Sequence, residues 1–179
     1  MKHKLMIQVF ILTLLCAPVM ASLSWFGEKI GKPAHVSAVF AGGKPPELTS
    51  DNLVDGLQAL DLPVPIARVD LSRGILSVDL KVTEDNFDAE LIYEGMAEMI
   101  SFAFDRTSNV DQLLLRLLAE DRWLGTKYLL LAADIRRDEW PAEAMSQLRS
   151  VGNVELPDTL RQRLRVTETH LWKKQFNQE

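Results

Sequence analysis

The feature that most restricts the fold is a pair of strand-like segments on either side of a short turn, the second of which alternates between apolar and polar side chains. In residues 75–82, apolar side chains occupy every second position: Leu76, Val78, Leu80 and Val82. Because successive side chains of a β-strand point to opposite faces, this pattern predicts a strand in a sheet with one buried and one solvated face. Residues 66–71 precede it across Ser72-Arg73-Gly74, a turn signal, so the two segments are predicted to form a β-hairpin.

The segment after this hairpin has the period of a helix. Asp85 is placed to cap it, and we expect it to run to about Phe104 with an apolar stripe made of Ile92, Met96, Met99, Ile100 and Ala103. Residues 110–119 and 126–135 are predicted to be strands joined across the short segment 120–125. A strand, a helix and a strand with a crossover of roughly 20 residues predict a parallel, right-handed pairing of the two strands.

Before the hairpin, the sequence predicts one strand and one helix. Residues 35–40 alternate as a strand does. Ser50 or Asp51 can cap a helix whose apolar residues recur at helical spacing. Pro63 and Pro65 are expected to end it.

After the last long strand, Asp138 and Pro141 indicate the start of another helix, and Gly152 indicates its end. Pro157 begins a final segment with helical spacing of leucines, but residues 166–169 suit a strand as well, and both alternatives stay open. Together these elements predict a single α+β domain, with a mixed or antiparallel sheet, a strand-helix-strand-strand unit, and helices packed on the sheet.

The first residues predict an export signal. Lys2 and Lys4 give a positive start, residues 5–16 are almost entirely apolar, and Pro18 precedes the small Ala21. We therefore assign residues 1–21 to a signal peptide cleaved after Ala21 and residues 22–179 to the single α+β domain. An uncleaved membrane anchor is the alternative. Acylation of Cys16 is a minor one, because bulky Leu15 precedes that cysteine.

Cleavage would remove Cys16, the only cysteine, and two of the lysines. The mature chain would then be cysteine-free, without disulfide or thiol chemistry, which suits a secreted protein of a bacterial-type periplasm or cell envelope. Its formal charge would change from -5 to about -7. An acidic chain has few cations with which to neutralise phosphates, so nucleic acid is not expected to be a partner.

No spacing typical of catalysis or ligand binding occurs in the chain. Gly42-Gly43-Lys44 is followed by two prolines, which does not suit a phosphate loop, and His35 and His170 are far apart in the sequence. A row of glutamates on the long helix could bind a divalent cation or a basic partner, but a solvated helix face is the preferred interpretation: Glu90, Glu94 and Glu98. We therefore predict no catalytic residue, no cofactor-binding residue and no metal ligand.

The candidate residues for interaction are apolar ones on the less apolar face of the strand pair. Leu114 and Leu118 alternate there with Gln112 and Arg116, and the returning strand is expected to add Leu130. A sheet that is apolar on both faces is either covered by its own helices or docked on another protein. Further candidates are adjacent aromatic residues after the cleavage site, Trp25 and Phe26, which could contact a membrane or a partner.

These observations lead to three hypotheses of function. The first is an exported, non-enzymatic accessory or scaffold component of an envelope assembly of the secretion, conjugation or pilus type, acting through protein–protein interaction. The alternatives are a periplasmic module that binds a small ligand or a peptide, and a hydrolase that uses carboxylates or a Ser–Lys pair. An envelope protein is the expected partner, no cofactor is expected, and a peripheral membrane contact or an oligomer is compatible with the sequence. The basic tail could also contact lipid headgroups or an acidic neighbour: Arg161, Arg163, Arg165, Lys173 and Lys174.

Overall fold

The structure, a computed structural model, describes residues 44–83, 88–121 and 123–176. The elements of this part are, in chain order, helix α1 (Leu53–Gln58), strands β1 (Ile66–Ser72) and β2 (Ile75–Val82), helix α2 (Ala89–Asp105), strands β3 (Gln112–Glu120) and β4 (Lys127–Arg136), a 3₁₀ turn (Arg137–Glu139), helices α3 (Ala142–Arg149) and α4 (Asp158–Arg163), strand β5 (Thr167–Glu168) and helix α5 (His170–Phe176).

The described strands form one five-stranded mixed sheet in the order β1-β2-β3-β4-β5. The pairs β1–β2, β3–β4 and β4–β5 are antiparallel, and β2–β3 is parallel. Helix α2 is the crossover between the two parallel strands. The predicted α+β class, the mixed sheet and the strand-helix-strand-strand unit are therefore confirmed.

The turn between β1 and β2 is tied to the start of β3. Arg73 (φ 51°) and Gly74 (φ 78°) both have positive φ angles, which match the twist of a tight hairpin. The carbonyl of Gly74 accepts hydrogen bonds from the backbone N–H groups of Asp111 (2.8 Å) and Gln112 (3.2 Å). A Cβ at residue 74 would stand 3.0 Å from the Asp111 carboxylate and 3.2 Å from the Asn109 carbonyl, so a glycine is required by space as well as by conformation.

Helix α2 begins later than the sequence indicated. Its N-cap is Asp88, not Asp85, and the Asp88 carboxylate accepts a hydrogen bond from the N–H of Glu90 at 2.9 Å. Asp85 itself lies outside the described residues. Because Asp and Asn residues surround this boundary, the cap preference alone does not select one of them.

The other end of α2 is capped by a side chain from beyond β4. The Arg137 guanidinium donates hydrogen bonds to the backbone carbonyls of Ala103 (2.9 Å) and Thr107 (3.0 Å) at the helix end, and to that of Val110 (2.7 Å) before β3. A cation satisfies carbonyl groups that lack an intrahelical partner and interacts favourably with the helix dipole. Arg137 thereby joins the helix, the following strand and the end of β4.

The described helices place their apolar side chains in one core, on one face of the sheet. Among the described helices, α2 contributes the most buried side chains to this core, including Ile92, Met96 and Ile100. The sheet contributes the side chains that point toward the helices: Leu76, Val78, Leu80, Val82, Leu113, Leu115, Leu117, Leu131, Ala133 and Ile135. Leu148 of α3 and Leu160 of α4 complete this core. Within the described ranges, no helix combines the length and apolar content that crossing a bilayer requires.

The shorter predicted segments differ in detail. The N-cap position of α1 is Asn52, not Ser50 or Asp51, and the Asn52 side-chain oxygen accepts a bond from the N–H of Thr49 instead of capping the helix. In the final segment both alternatives occur, because the two-residue strand β5 lies between α4 and α5. The predicted signal peptide and the predicted strand 35–40 lie outside the described residues.

Candidate functional site

The face of the sheet that points away from the core is the main candidate surface, and we call it the open face. Because residues paired across strands share a face, the register places on it Arg68 and Asp70 of β1, Ser77, Asp79 and Lys81 of β2, Gln112, Leu114, Arg116, Leu118 and Glu120 of β3, and Ala132, Asp134 and Arg136 of β4. Leu114 and Leu118 are half-buried there, on the face where the sequence predicted them.

A β-bulge in β4 changes which leucine joins them. Leu117 pairs with Leu131 and Leu118 pairs with Leu129, so Leu130 is the extra residue. Leu130 is turned into the core and is 3% exposed, whereas Leu129 lies opposite Leu118 on the open face and is 37% exposed. Simple alternation placed Leu130 on this face, and we therefore leave Leu130 out of the candidate surface and include Leu129.

A bidentate ion pair occupies the centre of the open face. The Nε and Nη2 atoms of Arg116 donate to the two carboxylate oxygens of Asp79 at 2.7 and 2.8 Å. Asp79 is buried, while the Arg116 side chain is 53% exposed. The hydrogen bonds to Asp79, followed by the charge of that carboxylate, raise the pKa of Arg116. A guanidinium that stays charged can donate hydrogen bonds to a partner, but it cannot transfer a proton as a general acid.

Two further polar pairs lie on the same face. Lys81 Nζ stands 3.1 Å from a Glu120 carboxylate oxygen at one end of the sheet. Gln112 Nε2 donates to Asp134 Oδ1 at 2.6 Å at the other end. Six polar side chains of the open face are thus already partnered within the chain, so a docking protein would not need to satisfy those groups.

A shallow depression of about 310 Å³ lies beside the central ion pair. Its lining comes from strands β1, β2 and β3 alone: Arg68, Asp70, Ser77, Asp79, Leu114 and Arg116. This volume is at the lower end of the range for small-molecule sites, roughly 300 to 1,000 Å³. The depression can accept a side chain or a short polar group of a partner.

A second candidate surface is the connection between β3 and β4, which we call the hairpin tip (Asp121 and residues 123–128). Trp123 is 91% exposed and Leu124 is 77% exposed. Asp121 Oδ1 accepts hydrogen bonds from the backbone N–H groups of both residues, at 2.8 Å each, which fixes the position of their backbone relative to Asp121. Trp123 and Leu124 are not among the residues predicted from the sequence, although Asp121 and Gly125 around an apolar pair are a local turn signal.

The other candidate residues from the sequence that the structure describes do not join either surface. Trp25 and Phe26 lie outside the described residues. Glu98 of the glutamate row is paired with two arginines, Arg106 and Arg149, which is a structural role. Glu90 and Glu94 are exposed, as expected of a solvated helix face.

Part of the basic tail is paired within the chain. Arg161 contacts carboxylates of Glu155 at 3.0 Å and Glu168 at 3.1 Å. Burial lowers the pKa of Arg161, but the hydrogen bond to Glu155 and the charge of Glu168 outweigh it and raise that pKa overall. Arg165 binds Glu139 at 2.7 Å. These two arginines are therefore less available to lipid headgroups or an acidic neighbour than their sequence pattern suggested.

The described residues include no group of three or more histidine, cysteine, aspartate or glutamate side chains that could hold a metal ion. His170 lies at the start of α5 and is exposed, and His35 is outside the described residues. The serine hydroxyls of α3 and its C-cap, Ser146 and Ser150, donate to nearby backbone carbonyls.

The chain matches no protein-family model, no curated protein and no solved structure at a significant level. No activity or partner can therefore be taken from a relative.

Proposed function

We propose that the chain is an exported, non-enzymatic accessory component of a cell-envelope assembly that binds a protein partner with the open face of its sheet. The observation that supports this proposal is the position of the described helices, which bury their apolar side chains on one face of the sheet. Leu114, Leu118 and Leu129 lie on the other face. Half-buried Leu114 and Leu118 and exposed Leu129 around the exposed Arg116 resemble the apolar centre and arginine anchors of protein interfaces.

The open face is suited to a protein better than to a small molecule. Its depression is shallow, and its apolar residues extend across β3 and β4 beyond the lining. A flat surface with an arginine anchor gains affinity mainly from area and from a few buried contacts. A peptide ligand is the second candidate, because one side chain of it could enter the depression beside Arg116.

Site-specific photo-crosslinking in the exporting cells tests this function. A photoreactive amino acid at residue 114 or 118 should join the chain to one and the same partner protein, because the two positions share the open face. The matched control is residue 54, an exposed valine on helix α1. The substitution Leu118→Glu should weaken partner binding by on the order of tenfold, because it places a charge where an apolar contact is expected, whereas Val54→Glu should not.

Two outcomes would contradict the proposal. Equal crosslinking from residues 54, 114 and 118 would show that the open face has no special role. Partner binding that survives Leu118→Glu in a chain with an unchanged circular dichroism spectrum would place the partner elsewhere. A crosslink to a short peptide in place of a folded protein would support the second candidate against the first.

A further inference from the structure

The hairpin tip exposes large apolar side chains that are not part of the open face. The side chains of Trp123 and Leu124 are almost fully exposed at its end, and Tyr128 is exposed a few residues behind them. We propose that the hairpin tip binds the surface of a lipid bilayer, with Trp123 and Leu124 inserted into the interfacial region. This contact is separate from the open-face function and does not depend on it.

Four backbone N–H groups of the tip are already paired within the chain, which lowers the cost of moving them out of water. Asp121 Oδ1 accepts the N–H groups of Trp123 and Leu124, the Gly125 N–H donates to the Asp121 carbonyl at 2.9 Å, and the Asp121 N–H donates to the Thr126 carbonyl at 2.9 Å. Backbone groups without a partner are costly in an apolar medium. These four N–H groups therefore enter the interface without giving up a hydrogen bond to water.

The charges at this end of the sheet are balanced, although the chain as a whole is acidic. Glu120 is paired with Lys81, and Asp121 is surrounded by N–H donors from its own turn. Lys127 is exposed on the strand that leaves the tip. The tip can therefore approach a negatively charged bilayer without the repulsion that a net charge of -5 implies for most of the surface.

The order of side chains along the hairpin matches the order of layers in a bilayer surface. The apolar pair stands at the end of the hairpin, and Lys127 and Tyr128 follow at the start of β4. Interfacial protein segments penetrate about 5 to 10 Å, and tryptophan and tyrosine are enriched at that depth. The described part of the tip has Trp123, Leu124 and Tyr128 as its exposed large apolar side chains, and such a small apolar group is suited to insertion between lipid headgroups.

Vesicle binding tests the proposal on the protein as purified from the exporting cells. Wild-type protein should co-sediment with phosphatidylcholine vesicles that contain phosphatidylglycerol. The double substitution Trp123→Ser with Leu124→Ser should reduce the partition coefficient by on the order of tenfold or more. The control is Val54→Ser with Val154→Ser, which removes two exposed valines from other parts of the surface. All variants share every residue before Lys44, so a difference between them cannot come from the N-terminal segment.

Brominated acyl chains give a second measurement. They should quench the fluorescence of wild type more than that of Trp123→Phe, because the proposal places that indole among the lipids. A third variant, Asp121→Ala, keeps both apolar side chains but exposes two backbone N–H groups, so it should bind more weakly even though it removes a negative charge.

The proposal is overturned if wild type does not bind vesicles, or if the double variant binds as well as wild type. Binding to anionic vesicles that high salt abolishes, with no effect of the double substitution, would also overturn it in favour of the exposed lysines. An Asp121→Ala variant that binds better than wild type would show that charge, not the paired turn, controls the contact. None of these results affects crosslinking from residues 114 and 118.

Discussion

Tyr93 shows how one buried hydroxyl joins distant parts of the chain. Its ring meets the ring of Trp172 edge to face with centroids 6.1 Å apart, and its hydroxyl donates to the Val154 carbonyl at 3.1 Å. Burial, and then the negative charge of Glu168, raise the pKa of Tyr93 well above its usual value. Helix α5 and the loop after α3 are thus both attached to α2 through this side chain.

The raised pKa predicts a loss of stability at alkaline pH. Because the folded chain keeps a proton that the unfolded chain releases, this contribution is fully present below pH 10, the ordinary pKa of tyrosine, and is lost as the pH rises through the folded-state pKa. Tyr93→Phe should lower the free energy of unfolding at neutral pH by about 1 kcal/mol, the value of one hydrogen bond. Urea unfolding of both proteins at neutral pH and above pH 10 should show the gap between them closing.

The other tyrosine provides the control for this measurement. Tyr128 is exposed on β4, so Tyr128→Phe should keep the alkaline loss of wild type. If Tyr93→Phe loses stability above pH 10 as steeply as wild type does, the loss arises from other groups and the role given to Tyr93 is wrong.

At the scale of the element, the bulge in β4 decides which side chains each face receives. The Leu130 carbonyl accepts hydrogen bonds from the backbone N–H of Thr169 at 3.0 Å and from its hydroxyl at 2.8 Å. Thr169 comes from the segment after β5, so a residue far along the chain holds the irregular strand in place. The bulge turns Leu130 inward and Leu129 outward, and it ends the regular alternation of β4.

Because of this arrangement, truncation of Leu130 and truncation of Leu129 should lower the free energy of unfolding by different amounts. Leu130→Ala should lower the free energy of unfolding by about 2 to 5 kcal/mol, because it leaves a cavity in the core. Leu129→Ala should cost less than about 1 kcal/mol, because its side chain is partly solvated. Regular alternation predicts the reverse order, so denaturant unfolding of the two variants distinguishes them. Similar costs for both would contradict the bulge.

The elements that could be predicted from the sequence are those whose pattern is local. The alternation around Leu76 and Leu113 identified β2 and β3, and the helical spacing of Ile92 and Met96 identified α2. The bulge at Leu130 could not be predicted, because it depends on hydrogen bonds from a residue that is distant in the sequence. The Asp79–Arg116 pair likewise requires the register of two parallel strands, which composition and spacing do not specify.

At the scale of the whole molecule, the sequence makes a prediction about processing that is independent of the fold. Protein isolated from the envelope of the exporting cells should begin at Ser22, because Ala21 provides the small residue that cleavage requires. Ala21→Arg should block cleavage and leave the full-length chain, while Ser24→Ala should be processed normally. Intact mass and N-terminal sequencing measure both. A wild-type chain that retains Met1 in the envelope would favour the uncleaved anchor.

The contact between Gly74 and the start of β3 has a consequence for the order of folding. A hairpin closes quickly because its strands are neighbours, whereas a parallel pair must wait for a long loop to close. The Gly74 carbonyl accepts hydrogen bonds from the N–H groups of Asp111 and Gln112. Once the β1–β2 turn has formed, this carbonyl is a fixed acceptor to which the first residues of β3 can bind. One early turn would then select the alignment of the slowest strand pair, and a misaligned β3 would lose both hydrogen bonds at once.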